Sequence, residues 1–274
     1  MKLLIRRTGL FAATLVMVAA AIRGVAAAGA SGFCSQQQTA PPSALPSTST
    51  PRVKELTLEQ RADVFMARKN YEDAADYYYR ALKQSTYKDP RLWNKLGIAF
   101  QEVGKFASAG KAYNRAIGAK RDFPEAWNNL GTVYFMERKY GKSLKKYQRA
   151  IELDGQVASF HMNLGTSYYH LKKFDLAVQE YRVALGIDPN VVRQQSAMGT
   201  VVHASGTGAD FYFYMAKAFA SVGNAEEAVR YLRRALEDGF NDTKRIDKDP
   251  DFKKIGEYPA FVELLRNPPV AIKD

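Results

Sequence analysis

The stretch WNNLGTVYFMERKYGKSLKKYQRAIELD, Trp127 to Asp154, places the large rings of Trp127, Tyr134 and Tyr147 among the small residues Gly131, Ser143 and Ala150. Its apolar positions fall at helical spacing in two runs, Trp127 to Met136 and Tyr140 to Leu153, with a few polar residues between them. That spacing predicts a helical hairpin. The pattern recurs every 34 residues: Trp93, Trp127, His161; Leu96, Leu130, Leu164; Gly97, Gly131, Gly165; Phe106, Tyr140, Phe174; Ala109, Ser143, Ala177; Tyr113, Tyr147, Tyr181; and Ala116, Ala150, Ala184. A diverged copy precedes these, with Ala62, Phe65, Tyr71, Ala74, Tyr78 and Ala81, and another follows, with Met215, Ala216, Phe219, Ala228, Leu232 and Ala235. A period of this length marks an array of stacked units. Mixing the two sizes then has a reason: small residues let helix backbones approach, and large rings fill the wider gaps between the same helices.

The segments WNKLGIAF…GKFASAGKAYNRAI, WNNLGTVYF…RKYGKSLKKYQRAI and HMNLGTSYY…KKFDLAVQEYRVALGIDP resemble the tetratricopeptide repeat family, over roughly Leu56 to Phe240. The resemblance implies an all-α fold, a right-handed superhelical solenoid of about five stacked hairpins with a C-terminal capping helix. Residues 55–240 would be the solenoid and 241–274 the cap, with Phe252, Ile255, Phe261, Leu264 and Leu265 covering the last hairpin. Three departures from the period are visible. Residues 192–208 interrupt it with β-branched residues between Gly and Ser, which predicts a loop or small β-hairpin. KQSTYKDP, before the second hairpin, delays Pro90 by about one helical turn. Gly104 and Gly223 stand where a helix end favours a left-handed residue, yet Arg138 and Lys172 fill the same column and must tolerate or avoid that geometry.

Ahead of the array, residues 1–30 combine the basic Lys2, Arg6 and Arg7, an apolar run from Gly9 to Ile22 and small residues at Ala26, Ala28 and Ala30, the layout of a secretory signal peptide. The run is shorter than the roughly 20 residues that span a bilayer, and Arg23 ends it. The expectation is an exported protein, periplasmic or secreted; the alternatives are a membrane anchor formed by the uncleaved signal, or lipidation at Cys34. Residues 31–54 are rich in Pro, Ser, Thr and Gln and read as a disordered linker. Cys34 is the only cysteine, so no intramolecular disulfide is available and packing must hold the fold. The formal charge of +12 falls to +8 without Lys2, Arg6, Arg7 and Arg23.

No catalytic constellation emerges, and the expectation is a protein that is not an enzyme and has no cofactor and no metal site. His161 occupies the column of Trp93 and Trp127 and reads as a packing residue; His170 and His203 share no metal-like spacing with it or with Cys34. The functional expectation comes from the resemblance. In tetratricopeptide arrays the first helices of successive hairpins line a concave groove for a peptide or partner helix. Carried over by column, the groove would present Asn94, Lys95, Asn128, Asn129, Phe135, Met136, Asn163, Thr166, Tyr169 and Tyr214, with Lys217 beside them. Asn129 and Asn163 match the family's backbone-reading asparagine, whose amide both donates and accepts. The cations of the family's two-carboxylate clamp are missing, which points away from acidic C-terminal tails and toward a semi-apolar extended segment or amphipathic helix. A scaffold for a protein partner, in an envelope or periplasmic assembly process, is therefore expected. The alternative is a basic convex surface, Lys142, Lys145, Lys146 and Arg149, binding anionic lipid, cell-wall polymer or nucleic acid. Nucleic acid is the weaker fit because the tyrosines fall in core columns and leave no exposed stacking faces.

Overall fold

A computed structural model describes residues 55–193 and 208–271. The signal, the linker and nearly all of the 192–208 interruption lie outside the described residues. Those that are described belong to one compact unit, residues 53–274. They are helical with no strand, arranged as α1 (Leu58–Ala67), α2 (Tyr71–Gln84), α3 (Pro90–Glu102), α4 (Phe106–Ala119), α5 (Pro124–Met136), α6 (Tyr140–Leu153), α7 (Ala158–His170), α8 (Phe174–Ile187), α9 (Ala209–Ser221), α10 (Ala225–Glu237), α11 (Thr243–Lys248), α12 (Pro250–Lys253) and α13 (Pro259–Arg266). The first ten form five antiparallel hairpins. Each of α2 to α8 packs against both of its neighbours in sequence, and α8 meets α9. The central helix α5 also touches α3 and α7, so the first helices converge on an inner side and the second helices form the outer one.

Several helix starts are legible in the chain. Thr57 and Gln60 close a reciprocal capping box at α1, Asp89 accepts from the backbone N–H of Arg91 at α3, and Asn224 accepts from that of Glu227 at α10. Pro90 and Pro124 occupy first helical positions, where a missing N–H costs nothing. Between first and second helices the left-handed column is filled as the spacing requires: φ is +74° at Gly104 and +78° at Gly223, and Lys69, Arg138 and Lys172 adopt it too, at 58° to 59°. The side-chain residues therefore accept the strained geometry instead of avoiding it.

The core repeats at the same columns. Tyr113, Tyr147 and Tyr181 are fully buried, each lying flat against the glycine of its own hairpin partner. A Cβ on Gly131 would stand 2.7 Å from Tyr147 ring carbons, one on Gly165 2.7 Å from Tyr181, and one on Gly97 2.5 Å from Tyr113. The phenol groups are also satisfied in register. The residue fifteen positions upstream meets the hydroxyl in three hairpins: Asp63 for Tyr78 (2.5 Å), Thr132 for Tyr147 (3.2 Å) and Thr166 for Tyr181 (3.3 Å). In the second hairpin that place is the apolar Ile98, and Gln101, one turn on, accepts from Tyr113 instead (3.1 Å). The tryptophan column works likewise. Trp93 and Trp127 donate their indole N–H to the carbonyl six residues back, Tyr87 and Arg121, both at 2.9 Å. His161 places Nε2 3.2 Å from the equivalent carbonyl of Gly155.

Two expectations are corrected. Before α3 the delay is a single residue: the linker 85–89 is five long where 120–123 and 154–157 are four. The extra residue is absorbed by left-handed Thr86 (φ 52°) and Tyr87 (φ 61°). The cap is three short helices, α11 to α13, because Asp249–Pro250 and Tyr258–Pro259 each start a new helix and bar the old one from continuing. Ile246, Phe252, Ile255, Phe261 and Leu264 are buried and share one core with the last two hairpins, while Leu265 is half-buried at its edge.

Candidate partner-binding face

The residues expected to line a groove do fall on α3, α5, α7 and α9, but most point into the seams between those helices. Asn94, Asn128, Asn129 and Asn163 are all buried. They form one chain of amides: Asn163 donates to Asn128 Oδ1 (2.9 Å), Asn128 to Asn129 Oδ1 (3.2 Å) and Asn129 to Asn94 Oδ1 (3.1 Å). The chain links α7 to α5 to α3. Partners across a seam are 35 apart, one more than the repeat, because a residue in one first helix faces the next position along in its neighbour. The amides expected to read a peptide backbone are thus joined to one another. Thr166, buried, donates to the Met162 carbonyl (2.8 Å) and accepts from Tyr181.

Neither lysine expected in the groove offers a free charge. Lys95 Nζ lies 2.8 Å from Glu59 and 2.8 Å from Asp63, both on α1. Burial opposes its charge, but the bonds to Asp63 and Glu59 prevail and hold its pKa above the ordinary lysine value. Lys217 on α9 is clamped by Asp249 (2.8 Å) and Asp251 (3.8 Å) of the cap. The acids come from the two ends of the array: Glu59 and Asp63 from the first helix of the first hairpin, where Asp63 fills the column of Ile98, Thr132 and Thr166, and Asp249 and Asp251 from the cap. Alignment of the repeats alone could not reveal them, although Glu59 and Asp63, four apart on one helix face, were a signal.

Accessible apolar side chains remain at the ends of α5 and α7, beside the exposed Arg138, Lys172 and Lys173. Met136, at the end of α5, is 41% exposed, and Leu171, just past α7, is 36% exposed. Between them Phe135 is buried against Tyr140 (centroids 5.2 Å) and His170 (5.1 Å), and His170 stacks on Tyr140 at 4.7 Å and 12°. Half-buried Tyr169 continues the cluster to Phe174, Phe211 and Tyr214. Tyr214 is buried, stacked on Phe174 at 4.4 Å, and accepts from Arg245 (3.1 Å). His170 is the residue that sequence reasoning undervalued. Burial first, and then the Arg138 charge, hold its pKa below the ordinary histidine value, so it is neutral at physiological pH. Its Nε2 is buried and has no hydrogen-bond partner among the described residues. A buried polar atom without a partner is costly, about 1–3 kcal/mol.

The outer face departs from expectation in one place. Tyr79 and Tyr87 are exposed, not core, and Tyr87 stacks on Trp93 with centroids 6.1 Å apart. The extra linker residue carries Tyr87 outward, and Lys83 lies over the Tyr79 ring (5.1 Å).

Residues 94–158 and 137–191 match the family model Tetratricopeptide repeat. No curated protein matches the chain. Solved structures that resemble it include the crystal structure of MamA protein (22% identity, TM-score 0.48, covering 70% of this chain and 93% of that chain). Others are MamA 41-end from Desulfovibrio magneticus RS-1 (14% identity, TM-score 0.48, 66% and 92%) and a thermophilic TPR protein in Thermus thermophilus (18% identity, TM-score 0.47, 72% and 93%). The chain is a stacked helix-pair protein, and its hairpins over residues 94–191 match the tetratricopeptide repeat model.

Proposed function

We propose that this protein is a non-enzymatic scaffold that holds a peptide or helical segment of a protein partner on the inner face of its hairpins, across the ends of α5 and α7. One observation carries the reading: exposed Met136 and Leu171 flank an aromatic cluster in which the buried Nε2 of neutral His170 lacks a hydrogen-bond partner among the described residues. A partner that covers this face would bury apolar surface, at about 25 cal/mol per Å². The occupant is semi-apolar, because Lys95 and Lys217 are already neutralised by Glu59, Asp63, Asp249 and Asp251. The asparagine chain holds α3, α5 and α7 in register beneath it. The sequence of residues 1–54 supports an exported, periplasmic or secreted location, with the assembly of envelope components as the setting. Anchoring by the uncleaved signal or through Cys34 is the alternative, and N-terminal sequencing of the protein recovered from cells separates the three.

The test is affinity capture by the parent chain and by a Met136→Glu/Leu171→Glu variant, both side chains being accessible enough to change without unfolding the hairpins. A protein retained by the parent at low and moderate salt and lost by the variant supports the reading. Equal retention by both chains contradicts it.

A further inference from the structure

The second helices α4 and α6 both pack on α5 and carry a surplus of positive charge that the structure leaves open. α4 has Lys111 and Arg115 and no acidic residue; α6 has Lys142, Lys145, Lys146 and Arg149 against Glu152 alone. Five of these six are exposed and Lys146 is half-buried. Among the described residues only Arg149 of the six has an ion pair, with Glu152 at 2.8 Å. The other outer helices behave differently. Arg80 on α2 pairs with Asp76, and on α10 Arg230 pairs with Glu227 and Arg234 with Asp238. Each of α2, α8 and α10 carries at least as many acidic as basic residues, so the net positive surplus is a property of this sector and not of the outer face as a whole.

The form of the charge indicates its partner. Lysine outnumbers arginine four to two, and lysine is a mobile point charge without the planar fork that reads a fixed phosphate or carboxylate. Aromatic rings nearby are covered by those same lysines: Lys146 Nζ sits 4.7 Å from the Trp127 ring centroid and Lys142 Nζ 5.8 Å from that of Tyr134, so no free face is offered for a base to stack on. Burial, and then the neighbouring Lys145 charge, hold the Lys146 pKa below the ordinary lysine value, which a close layer of negative charge would relieve. The sector spans two 14-residue helices, each about 21 Å long at 1.5 Å per residue.

We propose that the α4–α6 face docks on the surface of a membrane rich in anionic lipid headgroups, leaving the inner face of α5 and α7 turned toward the protein partner. Fluid headgroups can gather beneath flexible lysines without a fixed geometry. This docking does not depend on the inner-face reading.

The experiment is co-sedimentation of the full chain with vesicles of phosphatidylcholine alone and of phosphatidylcholine with phosphatidylglycerol, at low and high salt. Three variants accompany it: Lys111→Gln/Lys142→Gln/Lys145→Gln/Lys146→Gln; a charge-matched Lys83→Gln/Lys88→Gln/Arg182→Gln/Lys253→Gln; and Met136→Glu/Leu171→Glu. Melting curves first establish that all are folded. The expected result is binding to anionic vesicles that high salt abolishes, weakened about tenfold or more in the first variant and little changed in the other two. Equal binding to neutral vesicles, or an equal loss in both lysine variants, would overturn the proposal. So would displacement of the chain from anionic vesicles by a single-stranded oligonucleotide that it binds more tightly, which would assign the sector to nucleic acid.

Discussion

Tyr147 and Gly131 show how a single residue pair fixes a hairpin. The ring contributes roughly 1.5–3 kcal/mol by burial, and it reaches that position because the facing residue has no side chain. Gly131→Ala should gain about 1 kcal/mol of helix propensity and lose more to the overlap, since the ring is enclosed on all sides and cannot retreat. Net destabilisation of about 1–3 kcal/mol is expected, read as a lower urea midpoint; a gain in stability would show that the ring can move. His161 makes a second residue-scale case. Its Nδ1 lies 2.7 Å from Glu180 and its Nε2 3.2 Å from the Gly155 carbonyl, so both ring nitrogens face acceptors, and only the charged imidazolium can donate to both. The bond to Glu180 is the largest cause of a raised pKa. Because the folded value exceeds the unfolded one, this stabilisation is complete below about pH 6.5 and is lost as pH rises through the folded pKa. The stability difference between the parent and a Glu180→Gln variant should therefore shrink from pH 6 to pH 8. A constant difference would mean that His161 does not change its charge between pH 6 and pH 8.

At the scale of the element, the left-handed turn and the amide chain join helices that periodicity alone only places side by side. Arg138 and Lys172 adopt φ near +58° where Gly104 and Gly223 do so freely. A left-handed conformation costs a side-chain residue about 1–2 kcal/mol, so Arg138→Gly and Lys172→Gly should each stabilise, by about 0.5–1 kcal/mol after the extra entropy of glycine in the unfolded chain. Thermal melting checks this, and unchanged or lower Tm values would place the strain elsewhere. Asn128 is the midpoint of the amide chain, both donor and acceptor. Asn128→Ala removes the acceptor that Asn163 meets across one seam and the donor that Asn129 accepts from beside it. It should cost about 1–3 kcal/mol, without touching the exposed surface at Met136. Unaltered stability would make the chain incidental. The hairpins were legible in the sequence because each column meets the same surroundings in every copy. The amide chain was not, since its members lie in two adjacent columns and find each other only after the helices have stacked.

Across the whole molecule the two faces have opposite electrostatic character. On the first helices Lys95 and Lys217 are paired with acids from α1 and the cap; on α4 and α6 six basic residues face Glu152 alone. Net charge alone gives the excess but not its place, and the column alignment placed Lys95 and Lys217 in the groove without the acids that hold them, which come from α1 and from the cap. The identity of the groove helices was readable from the sequence; which of their side chains stay accessible depended on packing between hairpins. That leaves the inner face at α5 and α7 as the central claim. The most direct measurement is photocrosslinking in cells, with a photoreactive residue replacing Met136 on the inner face or Leu176 on the outer helix α8, both about equally exposed at 41% and 42%. A discrete protein adduct from position 136 that position 176 does not give is the predicted result. Adducts from position 176 alone would contradict the account and move the protein-binding surface to the outer helices.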